Sequence, residues 1–190
     1  MSETNQVSKY QKKIITIPNI LSVVRLCLVP IMVFLYINGY YVETGVLLLV
    51  SGATDVVDGY IARHYNMMSD VGKVLDPAAD KSTQLTVLFL LSISFPLMLI
   101  PIILMVFKEC FMLITGYMVI RKRNIVLGAD WHGKLATCTL SSLMMLHLFW
   151  HDIDPTVSTV AIFAGAAMIF LSLVLYAFRN FAYLLGKKPK

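Results

Sequence analysis

The chain has 190 residues, of which 58% are hydrophobic and 14% are charged. Soluble domains are nearly half apolar and about a quarter charged, so this composition excludes an ordinary soluble protein and predicts an integral membrane protein. The formal net charge is +5, but the basic residues are spread along one face of the predicted membrane topology, which excludes nucleic acid as a partner and favours anionic lipid headgroups and anionic substrates.

Residues 1–19 are predicted to form a cytoplasmic segment ahead of the membrane helices. The stretch KYQKKIITIPN combines three lysines with apolar residues at near-helical spacing, which indicates an amphipathic helix lying in the membrane interface. Pro18 and Asn19 are expected to break the chain before the first membrane helix. Arg25 lies one to two turns into that helix, and we expect its side chain to snorkel to the membrane surface.

Six apolar runs are long enough to cross a bilayer, which takes about 20 residues per helix. They begin near Ile20, Thr44, Leu75, Leu97, Leu135 and Val157. Only helices and closed barrels satisfy the backbone within hydrocarbon, and long apolar runs without alternation exclude a barrel. The predicted fold is therefore all-α, a six-helix transmembrane bundle that forms one domain over residues 20–186, with a basic cytoplasmic tail at 187–190.

The basic residues predict the orientation of this bundle. Lys and Arg occur in the N-terminal segment, between helices 2 and 3, between helices 4 and 5, and at the C-terminus, whereas the connections NGYYVET, SFP and WHDIDPT contain neither. By the positive-inside rule both termini are cytoplasmic. We expect a multi-pass protein of the inner, cytoplasmic membrane.

The positions of the cysteines and histidines predict no catalytic or metal-binding role for them. Cys27, Cys110 and Cys138 lie in apolar segments without metal-ligand spacing, so we expect small buried hydrophobic side chains. His147 and His151 have no cluster of potential ligands around them in the sequence, so we expect no ligand role for either.

Four aspartates interrupt the second and third apolar runs. Asp55 and Asp58 are spaced i, i+3 and Asp76 and Asp80 are spaced i, i+4, so each pair projects from one face of its own helix. Two such helices facing each other would gather four carboxylates, which repel one another unless they are protonated or bind cations. Oxygen ligands without Cys or His favour Mg²⁺, Mn²⁺ or Ca²⁺, and a pair of such ions suits phosphoryl displacement.

Small and basic residues extend this acidic face toward the cytoplasm. Gly59 and Ala62 follow Asp55 and Asp58 by one turn each, so a ligand has room to approach the backbone there. Three further residues are placed to bind a phosphate: the Arg63 fork binds phosphate oxygens, Gly72 opens helix 3 with its free N–H groups, and Ser69 lies in the loop between them. A pocket that starts at the cytoplasmic surface and enters the lipid leaflet suits a substrate with a polar head and a lipid tail.

These residues form the string D-x2-D-G-x2-A-R-x8-G-x3-D-x3-D from Asp55 to Asp80, which resembles the signature of the CDP-alcohol phosphotransferases at all eight fixed positions. The resemblance implies a six-helix fold, a homodimer, and two divalent cations, Mg²⁺ or Mn²⁺, held by the four aspartates on the pyrophosphate of a CDP-linked donor. It also implies that Asp80 is the general base. The positions that it implies for contacts with the donor nucleotide and phosphates are Pro18, Asn19, Ile20, Gly59, Ala62, Arg63, Ser69 and Gly72.

The stretches IPNILSVVRLCLVPIMVF and LDPAADK resemble the phosphatidylglycerophosphate synthase and CDP-type cardiolipin synthase branch of this family. That branch implies Arg-Glu in helix 4 and a G-K-x-K-T string at the start of helix 5, where this chain has Lys108-Glu109 and GKLAT, with Ala136 in place of the second lysine. The implied reaction transfers a phosphatidyl group from CDP-diacylglycerol to sn-glycerol 3-phosphate, with phosphatidylglycerol and inositol phosphate as alternative acceptors.

The acceptor phosphate needs cations near Asp80, and the candidates are Lys134, Arg121 and Arg123, which are equally accounted for as charges that set the topology. A cation or proton transporter is the alternative from a different class, because intramembrane carboxylates also serve relays. Clustering of the aspartates near one membrane face, together with the lack of an inverted repeat, favours the enzyme.

Overall fold

A computed structural model describes residues 17–64, 72–123, 128 and 130–185. These residues form six α-helices and one short 3-10 helix, Pro96–Met98, and they contain no β-strand. The α-helices are α1 Ile17–Ile37, α2 Tyr41–His64, α3 Gly72–Ser94, α4 Leu99–Arg123, α5 Trp131–Phe149 and α6 Pro155–Leu184. The all-α fold and the order of six helices are confirmed. The predicted interfacial helix and the basic tail lie outside the described residues.

Three of the helices are long and apolar enough to cross a membrane: α1, the segment containing α4, and α6. The other three are less apolar by this measure because α2 and α3 contain the aspartates and α5 contains two histidines, a lysine and several hydroxyl side chains. Many large apolar side chains on α1, α4 and α6 point outward, among them Phe34, Leu113 and Phe178. The chain is thus an all-α membrane protein, and the crossing of α2, α3 and α5 stays a prediction.

The start of α1 differs from the prediction. Pro18 and Asn19 were expected to precede the helix, but α1 begins at Ile17 and includes both residues. Proline is tolerated in the first turn of a helix, because its missing N–H would have no intrahelical partner there. Asn19 is buried and Ile20 is exposed, so these two adjacent side chains lie on different faces of α1.

The turn between α1 and α2 depends on Gly39, whose φ is +82°. The N–H of Gly39 donates to the carbonyl of Tyr36 at 3.0 Å, and the N–H of Tyr40 donates to the carbonyl of Leu35 at 3.0 Å. This is the Schellman arrangement, in which a left-handed residue directly after the helix lets two terminal carbonyl groups accept hydrogen bonds. Glycine adopts that conformation without a Cβ clash, so α2 can turn back immediately along α1.

Contacts divide the chain into two compact units, residues 1–90 and 91–190. In the first unit, α1 and α2 pack as an antiparallel hairpin, with the rings of Tyr36 and Tyr41 in edge contact at a centroid distance of 5.0 Å near the turn. In the second unit, α6 packs against both α4 and α5. The interpretation of residues 20–186 as one domain stays a prediction.

The three cysteines are exposed free thiols rather than buried ones, so the prediction that they are buried was wrong. Helices in a membrane gain little from hiding apolar side chains, because lipid tails are as apolar as the protein interior. An apolar segment therefore predicts a membrane helix without indicating which of its side chains face the protein.

Candidate functional site

The first polar contact of the candidate site joins α1 to α2. Arg25 lies eight residues after Ile17, about 12 Å along the helix, and Asp55 lies nine residues before His64, about 14 Å from that end. In the antiparallel hairpin these depths match, and Arg25 Nη1 lies 2.7 Å from Asp55 Oδ1. The Arg25 side chain is only 2% exposed, whereas Asp55 is 46% exposed. The prediction that Arg25 snorkels outward was wrong, because a carboxylate on the neighbouring helix pairs with it inside the protein.

Helix α3 brings two more carboxylates to the same region. The hydroxyl of Ser22, one turn before Arg25 on α1, donates to Asp76. The Gln84 side-chain amide donates to both carboxylate oxygens of Asp80 at 3.1 Å, and Asp80 interacts electrostatically with Lys81, Asp55 and Arg25. Residues i and i+3 share one face of a helix, so one polar face of α1 contacts both aspartate-bearing helices.

The donor chemistry of these three carboxylates suits a hard divalent cation, since all the ligands are oxygen atoms. Among the described residues, however, no three His, Cys, Asp or Glu side chains are grouped closely enough to hold a metal ion. The side chain of Asp58 lies outside the description, and Asp55 Oδ1 is taken by Arg25. The two-cation site stays a prediction.

The donor-site positions on α2 and α3 fall near the C-terminal end of α2 and at the start of α3. Gly59, Ala62 and Arg63 occupy the last two turns of α2, although their side chains are not among those described, and Ser69 lies outside the described residues. Gly72 is the first residue of α3, as the sequence predicted.

The candidate acceptor residues belong to the second unit. Arg121 near the end of α4 and Lys134 near the start of α5 are both exposed, and the Arg123 side chain is not described. Lys108 is buried and pairs with Glu109 at 3.3 Å. Ala136, where the branch has its second lysine, is buried at 1% exposure, so α5 presents one lysine rather than two.

A polar cluster at the start of α5 was not anticipated from the sequence. His132 Nε2 donates to Asp130 Oδ2 at 3.1 Å, and the other ring nitrogen lies 3.3 Å from Ser172 Oγ. Arg179 Nη1 lies 2.7 Å from Asp130 Oδ2 and donates to the Gly128 carbonyl at 2.8 Å. The backbone N–H of Asp130 donates to the Tyr176 hydroxyl at 3.1 Å, and the Arg179 guanidinium stacks 4.7 Å from the Tyr176 ring centroid.

This cluster ties the connection between α4 and α5 to α6. A signal was present in the sequence, because Ser172, Tyr176 and Arg179 are spaced i, i+4, i+7 on an otherwise apolar helix and so form a polar stripe on one face. On the same face, the amide of the fully buried Asn180 donates to Thr115 Oγ1 of α4 at 2.7 Å. The stripe therefore connects α6 to both of its neighbours.

At the other end of this unit, His147 is fully buried between helices. Nδ1 donates to the Leu143 carbonyl at 2.9 Å, because a carbonyl only accepts, and Nε2 lies 3.0 Å from the Ser158 hydroxyl. The ring also packs edge-on against Phe95 at 4.7 Å. Both ring nitrogens of His147 are thus engaged, Nδ1 with a carbonyl of its own helix α5 and Nε2 with a hydroxyl of α6.

Comparison with known proteins connects the signature to a family. A family model described as CDP-alcohol phosphatidyltransferase matches residues 15–178. The chain is 31% identical over 170 residues to a cardiolipin synthase (CMP-forming) of Streptomyces coelicolor, covering 86% of this chain and 79% of that protein. It is 30% identical over 173 residues to a CDP-diacylglycerol--glycerol-3-phosphate 3-phosphatidyltransferase of Aquifex aeolicus, covering 87% of this chain and 96% of that protein.

A shorter match has higher identity. Over 96 residues the chain is 41% identical to a cardiolipin synthase (CMP-forming) / mitochondrial hydrolase fusion protein of Schizosaccharomyces pombe. That match covers 50% of this chain and only 16% of the fusion protein.

Proposed function

Because the chain belongs to the CDP-alcohol phosphatidyltransferase family, we propose that it transfers a phosphatidyl group from CDP-diacylglycerol to an alcohol, with release of CMP. The observation that carries this proposal is the arrangement of Asp55, Asp76 and Asp80 around one polar face of α1. Carboxylates within membrane helices are costly and mark functional sites. A transporter receives no comparable support, since these carboxylates lie in a family of transferases.

Asp80 is the general base in this proposal. Its carboxylate takes the proton from the acceptor hydroxyl while the oxygen forms a bond to the phosphatidyl phosphorus, and the bond from that phosphorus to the CMP oxygen breaks. The Gln84 amide, which donates to both Asp80 oxygens, holds the carboxylate in one orientation. Enzymes accelerate phosphoryl transfer mainly by positioning the reacting groups in this way and by neutralising charge.

The residues that would hold two divalent cations, Mg²⁺ or Mn²⁺, are Asp55, Asp58, Asp76 and Asp80. When bound, the cations supply the positive charge that neutralises the pyrophosphate. The positions proposed to contact the nucleotide and the donor phosphates are Pro18, Asn19, Ile20, Gly59, Ala62, Arg63, Ser69 and Gly72. The depth of Asp55, about 14 Å from the end of α2, supports a substrate whose polar head enters from one membrane surface and whose tails stay in lipid.

For the acceptor, sn-glycerol 3-phosphate is the first candidate, with its phosphate on Lys134, Arg121 and Arg123. It is supported by the relative from Aquifex aeolicus and by the exposure of Lys134 and Arg121. A second candidate is phosphatidylglycerol, the acceptor in CDP-type cardiolipin synthesis. With alanine at position 136, the GKLAT string of α5 carries a single lysine, which favours a phosphodiester with one negative charge over a phosphomonoester with nearly two.

The setting of the reaction is proposed with it. The enzyme is a multi-pass protein of the inner, cytoplasmic membrane, its active site and both termini face the cytoplasm, and it works among membrane lipids as a homodimer. Support comes from the distribution of basic residues and, for the homodimer, from the family resemblance.

The decisive assay uses the purified full chain in detergent with CDP-diacylglycerol, Mg²⁺, and one acceptor at a time: glycerol 3-phosphate, phosphatidylglycerol or inositol phosphate. We expect CMP release and a new phospholipid with glycerol 3-phosphate; a phosphatidylglycerol-dependent product identifies the second candidate instead. No CMP release with any alcohol would remove the proposed activity.

Replacing the general base tests the mechanism in the same assay. Asp80→Asn is expected to lower kcat by about 10²- to 10⁴-fold, because the amide cannot take the proton, while the protein still inserts and elutes as the wild type does. Asp152→Asn, an exposed aspartate in the connection between α5 and α6, is the matched control and should keep full activity. A fully active Asp80→Asn variant would exclude Asp80 as the base.

A further inference from the structure

Arg25 is a buried cation in contact with a carboxylate that is itself proposed to hold a cation. Its side chain is 2% exposed and lies 2.7 Å from Asp55 Oδ1. The signature of the family begins at Asp55, so Arg25 was not among the site residues expected from the sequence. The contact raises the question of what the guanidinium does at a site meant for metal ions.

The role of Arg25 follows from the balance of charges around the three aspartates. Asp55, Asp76 and Asp80 lie on helices that meet α1, and their charges repel in a medium less polarisable than water. Close to these groups are the Ser22 and Gln84 side chains, which are neutral, and Lys81, which follows Asp80 on α3. Among the described residues, Arg25 is the cation that contacts Asp55 directly, so it offsets part of this repulsion in the protein without metal.

The contact between Arg25 and Asp55 also disfavours the binding of a divalent cation to Asp55. A guanidinium at hydrogen-bond distance occupies one of the two oxygens of Asp55, and its positive charge opposes a second positive charge nearby. Asp55 is 46% exposed, so one side of its carboxylate is open to an arriving ion while Arg25 holds the other. A cation that binds Asp55 must therefore compete with Arg25.

We propose that Arg25 is a resident counter-ion for the aspartate site, which stabilises the fold in the absence of metal and competes with divalent cations for Asp55. Arg25 is thus a positioning residue that sets the cation affinity of the site. This inference rests on the proposed function, because it takes Asp55 as a cation ligand.

The test measures Mn²⁺ binding to the full chain in detergent, by the loss of the free-ion electron paramagnetic resonance signal, together with thermal unfolding with and without Mn²⁺. Arg25→Gln is expected to bind Mn²⁺ on the order of tenfold more tightly than the wild type, because the competing charge is gone. Without metal it should unfold at a lower temperature, and Mn²⁺ should raise that temperature by more than in the wild type.

The matched control is Arg179→Gln in the second unit, which also removes a largely buried arginine from an ion pair, at 2.7 Å from Asp130. It should lower the unfolding temperature and leave Mn²⁺ affinity unchanged. Arg25→Lys keeps the charge on a shorter side chain without the planar fork, so its Mn²⁺ affinity should lie between those of the wild type and Arg25→Gln. If Arg25→Gln does not fold, Arg25→Lys decides: tighter binding than the wild type supports competition.

Unchanged or weaker Mn²⁺ binding by the Arg25 variants would overturn the counter-ion role. If wild type binds no Mn²⁺ at all, the cation site itself is wrong and this inference fails with it. A wild type that binds Mn²⁺, is improved by Arg25→Gln, and yet releases no CMP would leave the counter-ion standing and overturn only the proposed function.

Discussion

At the residue scale, Asp154 fixes the start of the longest helix. One of its carboxylate oxygens accepts from the backbone N–H groups of Thr156 and Val157, at 2.8 and 3.4 Å, and Pro155 occupies the first helical position. An N-cap side chain of this kind binds N–H groups that have no partner within the helix. The hydrogen bonds from Thr156 and then Val157 lower the pKa of Asp154 below its ordinary value of 3.8.

This shift predicts a pH-dependent contribution to stability. Because the pKa is lower in the folded protein, the contribution is complete above the ordinary pKa and is lost as the pH falls through the folded-state pKa. Asp154→Ala should therefore unfold at a lower temperature than the wild type at neutral pH, and the difference should shrink on acidification. Melting in detergent from neutral pH to about pH 2 measures it.

The control for this cap is Asp154→Ser, which keeps a capping oxygen that does not titrate. Its stability relative to Asp154→Ala should not depend on pH. A difference between wild type and Asp154→Ala that stays constant or grows under acid would contradict the role of the ionised carboxylate.

Residue spacing in the sequence singled out Asp55, Asp76 and Asp80, whose role stays a prediction, but it did not indicate the partner of Asp55. The i, i+3 and i, i+4 rules relate side chains on one helix, whereas Arg25 and Asp55 are on two helices. Their contact depends on the equal depth of both residues in the α1–α2 hairpin, which the turn at Gly39 determines. Which residues pair between two helices depends on how the helices are aligned along their axes, and the positions of apolar runs in the sequence do not give that alignment.

At the element scale, α5 and α6 approach closely at Gly133. A Cβ on Gly133 would overlap the Tyr176 hydroxyl and lie 2.9 Å from the Tyr176 ring carbon Cζ. The same tyrosine accepts from the N–H of Asp130 at 3.1 Å, so its ring is held from two sides. The glycine of the GKLAT string thus has a packing role, which lets α6 contact the backbone of α5.

Gly133→Ala should destabilise the protein by about 1 to 3 kcal/mol, the usual effect of overpacking a tight contact. Gly116→Ala is the matched control within α4, because no atom outside its own helix surroundings lies within 4 Å of the added Cβ. That control should be neutral or stabilising by up to about 1 kcal/mol, through helix propensity. The unfolding temperatures of the two variants test this prediction. Equal effects of both substitutions would contradict a close approach of Tyr176 to Gly133.

Apolar runs predicted where the helices lie better than where they begin. The apolar runs begin near Ile20, Thr44, Leu75, Leu97, Leu135 and Val157, and the observed helices begin at Ile17, Tyr41, Gly72, Leu99, Trp131 and Pro155. Five of the six helices begin earlier than their apolar runs because helices extend past the apolar segment into the polar interface, as was predicted for α3 at Gly72. The exception is α4, which is preceded by the 3-10 helix Pro96–Met98.

At the scale of the whole molecule, six helices in order return the chain to the side on which it entered, if each of them crosses the membrane. We therefore expect reporters of cytoplasmic location to be active when fused after residue 190, and reporters of the opposite compartment to be active when inserted at Asp152. A reporter after residue 190 that is active only outside the cytoplasm would contradict both the even number of crossings and the orientation.

The length of α6 has a consequence for the lipid around the protein. Its 30 residues measure about 45 Å, while the hydrocarbon layer is about 30 Å thick. Arg179 lies 24 residues after Pro155, about 36 Å along the axis, so an upright helix carries the Arg179–Asp130 pair beyond the acyl chains. A thicker bilayer would draw that ion pair into hydrocarbon and a thinner one would tilt α6, which makes the anchoring of the α4–α5 connection responsive to the acyl-chain length of the surrounding phospholipids.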